Sequence, residues 1–213
     1  MTDIFREIDE ELRQDQFKRL WKRYGAYVVG VVALIVIGVG GYQAWQAWDF
    51  EQRMERSDRY AAALDQLRAG DQAAAAAALA GLAASGGGYA VLASFEQAGL
   101  KAESGDVAGA IALWDQLARD DTAGPAFRGL AILLSVAHQI DNGDPGALEA
   151  RLQPLLEQGN PFRPSAVELT AALALRAGDT ARARELYTGL ADDRAAPTGL
   201  RTRAAQMLEA LDG

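Results

Sequence analysis

Cysteine is missing from this 213-residue sequence, histidine occurs once and proline six times. The absence of cysteine removes disulfides, thiolate nucleophiles and Cys-based metal sites, and it fits either side of a membrane. A single histidine, His138, allows no zinc set and at most one Ser-His-Asp arrangement. Its plain reading is a polar or half-buried residue on a helix. Phosphate-cradling loops are missing too. There is no GxxxxGK[ST], no GxGxxG after a strand, and Gly86-Gly87-Gly88 lacks the lysine. Asp141-Asn142-Gly143-Asp144 has a calcium-like composition without the 12-residue ligand spacing, and a turn followed by a helix cap accounts for it. Positive charge is also short, with 21 basic against 29 acidic residues and a net charge of -8. Residues 1–24 are balanced at six and six, so the excess lies in residues 49–213, with 15 basic and 23 acidic. A domain of that sign lacks the basic stripe that a phosphate backbone requires, which excludes nucleic acid as a partner class. These absences point away from an enzyme, a metal, a cofactor and a small-molecule substrate.

What the chain does have is one long uncharged run. Gly25 to Trp48 reads GAYVVGVVALIVIGVGGYQAWQAW, without Asp, Glu, Lys or Arg. As a helix it is roughly 36 Å long, against a hydrocarbon core of about 30 Å, so the spacing predicts a transmembrane helix over 25–48 with some tilt. Trp21, Tyr24 and Tyr27 at one end and Tyr42, Trp45 and Trp48 at the other suit the headgroup level. Ala26, Gly30, Ala33, Gly40 and Ala44 share one face, with Ile37 in the gap, and small residues on one stripe let a second membrane helix approach closely. The other reading of these residues is that glycine is simply common in membrane helices.

The tail ahead of the run, residues 1–24, carries Ile4, Phe5, Ile8, Leu12, Phe17, Leu20 and Trp21 near helical spacing. It reads either as an amphipathic helix on the membrane surface or as a solvated extension of the anchor. Lys18, Arg19, Lys22 and Arg23 precede the run, whereas Arg53, Arg56 and Arg59 on the far side are mixed with acids. The positive-inside rule then puts the N-terminus in the cytoplasm and the C-terminal domain across the membrane. A cleaved signal peptide is the rival, since Gly38-Val39-Gly40 passes a small-x-small test. The acid-rich tail and the aromatics through Trp48 favour a retained anchor.

Residues 49–213 are rich in Ala, Leu, Arg, Glu and Gln, which is helix composition, and long enough for one soluble domain. A Gly-Asp pair recurs at Gly70-Asp71, Gly105-Asp106, Gly143-Asp144 and Gly178-Asp179, at spacings of 35, 38 and 35. Gly can take the left-handed conformation that ends one helix, and Asp caps the amides that open the next. Each pair therefore predicts a helix-turn-helix corner. Five residues after each Gly stand Ala75, Ala110, Leu148 and Ala183; nine after, Leu79, Trp114, Leu152 and Tyr187; twelve after, Leu82, Leu117, Leu155 and Leu190. Seven before each Gly stand Ala63, Ala98, Val136 and Ala171. Such i, i+4, i+7 stripes pack one helix on its neighbour.

This period and arrangement resemble the tetratricopeptide repeat, in the second helices more than in the first. The fold expected is all-α: a single N-terminal transmembrane helix, then a tetratricopeptide-like solenoid. First helices are expected near 50–69, 88–104, 125–141 and 162–177, and a closing helix near 197–211. Long loops are expected near 85–88, 120–124 and 159–164, with a kink or split at Pro154. Stacked pairs expose a face lined by first helices. Tyr60, Phe95, Leu133 and Glu168, each ten residues before its Gly, are candidates to line a partner-binding groove there, the alternative being that they are core.

The order tail, anchor, repeats, together with the opening DIFREIDEELRQDQ and the stretch Gly88-Tyr89-Ala90-Val91-Leu92-Ala93-Ser94-Phe95-Glu96, resembles the ancillary subunit family of the bacterial SecYEG translocon. That resemblance implies an inner-membrane protein with a periplasmic domain that contacts the translocon, periplasmic chaperones or exported clients, and it brings no catalytic residues. A scaffold in a division or outer-membrane assembly complex, or an accessory regulator of an anchored enzyme, fits the same architecture.

Overall fold

The computed structural model describes residues 3–212, with side chains from residue 21 onward except that of Val28. Among the described residues it is all-helical, with nine α-helices and no strand. Helix α1 spans Asp3–Arg68 without a break. The tail, the apolar run and the first helix of the first repeat thus lie within one helical element. No residue in α1 is a proline, and glycine in a helix interior costs propensity without removing a hydrogen bond, so nothing forces a break. The apolar face proposed for the tail lies outside the described side chains.

The chain divides into two compact units, Met1–Glu55 and Arg56–Gly213. In the first, the aromatic residues at both ends of the run are exposed, Gly25 is covered by the Trp21 ring, and Arg23 lies over the Tyr24 ring at 5.7 Å. The helix is long and apolar enough to cross a membrane, with mean hydropathy 2.1 in its most apolar window.

The second unit is a row of helix pairs. The end of α1 pairs with α2 (Gln72–Ala83), α3 (Gly88–Glu103) with α4 (Val107–Arg119), and α5 (Gly124–Ala137) with α6 (Pro145–Leu152). Then α7 (Arg163–Arg176) pairs with α8 (Thr180–Asp192), and α9 (Thr198–Asp212) closes the row. All sixteen residues at seven before and five, nine and twelve after each Gly are buried, so the recurrence is a packing pattern and not mere turn punctuation. Four core clusters follow one another, each built from three consecutive helices; Leu79 and Leu82 of α2, for instance, meet Ala63 of α1 and Ala93 of α3. Each repeat therefore buries its apolar face only with help from the next one.

Polar links repeat with the same step. Tyr60 donates to Glu96, Arg151 pairs with Asp115, Arg176 donates to the carbonyls of Ile140 and Gly143, Arg182 grips Glu149 through two bonds, and Arg203 grips Glu168. These partners stand 33 to 36 residues apart, one repeat length, so they tie neighbouring repeats in register.

At the corners the aspartates behave as expected. Asp71, Asp106, Asp144 and Asp179 each accept from the amide three residues on, at 3.1, 2.9, 2.8 and 3.0 Å. Lys101 and the Gly109 amide, in that order, hold the Asp106 carboxyl below its usual range. Three of the glycines are left-handed, Gly70, Gly105 and Gly178, with φ of 84°, 88° and 82°. Gly143 is the exception, because α5 stops at Ala137 and the chain reaches Asp144 through successive turns, not a single left-handed step. Space is what Gly143 needs: a Cβ there would stand 2.8 Å from Leu148 Cδ1 and 3.1 Å from the Gln139 carbonyl oxygen. The two kinds of corner predict different rescues. Gly105→Ala should cost about 1–2 kcal/mol and Gly105→Asn clearly less, since Asn tolerates that φ. Gly143→Asn should be no better than Gly143→Ala, because a collision grows with the side chain. Urea midpoints of the four variants decide between strain and collision.

Two further expectations meet the structure differently. Pro154 does split its helix: α6 ends at Leu152 and a 3₁₀ turn, Gln153–Leu155, carries on. The third first-helix, expected over 125–141, ends at Ala137, so 138–141 join 142–143 in a loop of successive turns. The Arg176 guanidinium satisfies carbonyls of that loop, which a helix would have satisfied within itself.

Candidate protein-binding groove

First helices of three successive repeats bring aromatic and aliphatic side chains to one groove of about 440 Å³. Tyr60 comes from α1, Leu92 and Phe95 from α3, and Phe127, Leu130 and Leu134 from α5; Trp114 of α4 and His138 complete the apolar wall. The helical steps explain the alignment, since 92 and 95, and 127, 130 and 134, fall on one face of their helices. The rings pack in pairs: Tyr60 with Tyr89 at 5.7 Å, Phe95 with Phe127 at 6.0 Å, and Trp114 with His138 at 4.4 Å. These separations give tilted contacts that hold the rings in place, yet Phe127 keeps 38% of its surface exposed.

Glu96 and Glu103 supply the charge of the lining. Glu96 accepts from the Tyr60 hydroxyl at 3.1 Å. Burial first, and the neighbouring Glu96 charge second, push the Tyr60 hydroxyl up to about 12. A phenol with a raised folded value stays protonated when the unfolded chain has begun to ionise, so stability should fall as pH rises from about 10 towards 12. Tyr60→Phe should flatten that part of the stability profile while leaving pH 7 to 9 unchanged in slope. An equally steep alkaline loss in the variant would remove Tyr60 as its cause.

The candidate residues read from the sequence separate here. Tyr60 and Phe95 line the groove together, and each is also partly buried against a core cluster, so the groove and core readings both hold for them. Leu133 does not: it is 8% exposed and packs in the core with Val136 and Leu148. The three residues that lengthen this spacing from 35 to 38 lie in the loop before Asp144, so counting back from Gly143 lands three residues late, and Leu130 holds the equivalent place. Glu168 is outside the groove as well. Its carboxylate is held by Arg203 of α9 through bonds of 2.7 and 2.9 Å, a clasp between the last repeat and the closing helix. His138, expected as a polar or half-buried helix residue, is exposed and stands just past the end of α5, with Nδ1 2.9 Å from the Leu134 carbonyl oxygen. Phe127, Leu130, Leu134, Glu96 and Glu103 were missed; the i, i+3, i+7 spacing of the first three was the available signal.

A family model described as tetratricopeptide repeat-like domain matches residues 18–211. The chain belongs to that family. No curated protein and no solved structure matches the chain. Tetratricopeptide repeat-like domains commonly bind proteins and are generally scaffolds rather than catalysts. The match begins ahead of Gly25, so it takes in the apolar run as well as the repeats. Three other clefts bring no aromatic ring to their walls: one of about 400 Å³ between α2, α3 and α4, one of about 400 Å³ between Ala73, Ala76 and Leu100, and one of about 470 Å³ beside Asp115, Arg119 and Arg151. Arg151 is occupied there by Asp115 and the Ser135 hydroxyl, which ties α4, α5 and α6 together. Among the described residues no three His, Cys, Asp or Glu side chains are grouped so as to hold a metal.

Proposed function

We propose that this chain is a membrane-anchored adaptor without catalysis of its own, whose repeat domain receives protein partners at the Tyr60–Phe95–Phe127 groove. The anchor is residues 25–48, the N-terminus is cytoplasmic, and the domain lies in the periplasm of a bacterial inner membrane. Its partners are the SecYEG translocon and the periplasmic chaperones or exported chains that meet it. The observation that carries the binding role is the groove, where partly exposed aromatics from three repeats converge without any ligand chemistry of an enzyme. The anchor's address rests on the uncharged run with its basic flank, and the export role on the resemblance in layout.

A photo-crosslinking residue in place of Phe127 tests the whole reading in cells. Capture of translocon subunits and newly exported chains supports it. Capture of a fixed set of other envelope proteins, or of one enzyme, replaces the export role by a scaffold or a regulator, and the absence of any protein adduct removes the binding role. The membrane face is tested separately. Ala26, Gly30, Ala33, Gly40 and Ala44 are exposed, and a Cβ at Gly30 or Gly40 meets nothing within 4 Å. Gly30→Leu with Gly40→Leu should reduce co-purification of a membrane partner severalfold if that face receives another helix; undiminished recovery would retire the idea.

A further inference from the structure

The charges in the lining of the groove are one-sided. Its lining holds two carboxylates, Glu96 and Glu103, and neither lysine nor arginine. They stand seven residues apart on α3, two helical turns along the same face, and so form one acidic rim beside Phe95, Phe127 and Leu130. Elsewhere three half-buried carboxylates are neutralised from the next repeat or the closing helix, Asp115 by Arg151, Glu149 by Arg182 and Glu168 by Arg203, whereas Glu103 is exposed. Glu103 has no such cation among the described residues, and Glu96 has only the neutral Tyr60 hydroxyl. The groove therefore keeps two negative charges next to a strip of aromatic surface.

Resting on the adaptor reading above, we propose that this groove selects a basic-apolar protein segment: one or two bulky apolar side chains in the strip, with lysine or arginine beside them reaching Glu96 and Glu103. A volume of about 440 Å³ admits a few side chains rather than the flat surface of a folded domain. Lysine and arginine suit both parts of it, since their methylene stems lie along apolar rings while their heads stay at the carboxylates. An acidic segment would meet like charge and is excluded. The raised Tyr60 hydroxyl fits the same picture of a partly dried, negative site.

Two labelled 12-residue probe peptides test this, identical in their Phe and Leu at i, i+3 and i+7 and differing only in flanking Lys or flanking Glu. With the full chain in neutral detergent, fluorescence anisotropy should show the Lys peptide binding about tenfold or more tightly, with the difference shrinking at high salt. Glu103→Gln should weaken the Lys peptide roughly threefold. Glu157→Gln, which removes one charge away from the groove, should change nothing, which separates the rim from the general negative charge of the domain. Phe127→Ala should weaken the peptide further. Equal binding of the two peptides, preference for the Glu peptide, binding of neither, or equal effects of Glu103→Gln and Glu157→Gln would overturn the selection. If the peptides fail in any of these ways while the Phe127 crosslinker still captures partners in cells, the adaptor reading stands and only the basic-apolar preference falls.

Discussion

A chain with arginine in place of both Leu34 and Ile37 is expected to leave the membrane fraction. The two side chains lie near the middle of the run from Gly25 to Trp48 and are 72% and 71% exposed, so they belong to no protein core whose loss would confuse the result. An arginine at the centre of a spanning helix costs about 2.5–3.5 kcal/mol on insertion scales, and two cost about 5–7 kcal/mol. Their guanidinium groups start too deep to reach either interface easily. Alkaline carbonate extraction should move the variant from pellet to supernatant, while its repeat domain keeps its helical circular dichroism. Full retention in the pellet would show that residues 25–48 do not span a bilayer.

Leu152→Ala should be the most damaging single change in the repeat domain. Leu152 is 0% exposed and ends α6, the shortest of the helices, one residue before the 3₁₀ turn that Pro154 imposes. It packs with Val136 of α5, Leu155 of the 3₁₀ turn and Leu173 of α7, and so joins the third repeat to the fourth. Removing its isobutyl group forfeits the transfer energy and leaves a cavity, at about 2–5 kcal/mol. Collapse around the cavity is restricted because α6 is already shortened and cannot slide a turn without unseating Leu148. In a row of repeats stabilised by neighbours, the loss should also loosen the adjoining repeat. A urea midpoint shift worth less than about 1 kcal/mol would mean that the site relaxes and that Leu152 is not the junction described.

The proline, the corners and the buried positions were legible because each depends on a few consecutive residues. An Asp that caps an amide three residues on, a Pro that lacks its own N–H and a stripe at i, i+4, i+7 act within one or two turns, and all four aspartate caps formed as the spacing required. Gly143 shows the limit. Its Gly-Asp pair looks like the other three, yet the helix before it ends six residues earlier, because the extra length of that repeat is taken up as turns held from another repeat by Arg176. A donor 33 to 36 residues away is invisible to local spacing.

The sequence by itself determined that this chain is helical, that it repeats with a step near 35, that sixteen positions at fixed distances from the corners pack inward, and that one segment is apolar enough to cross a membrane. Those properties follow from periodicity and from the chemistry of neighbouring residues, which any folded form must respect. Only the tertiary structure decided which residues meet across repeats: that Leu130 and not Leu133 joins Tyr60 and Phe95, that Glu168 is claimed by Arg203, and that Glu103 is claimed by none of the described residues. Such pairings depend on where helix ends fall and how side chains of different length interlock between helices, and a shift of three residues in one loop is enough to exchange a groove residue for a core residue.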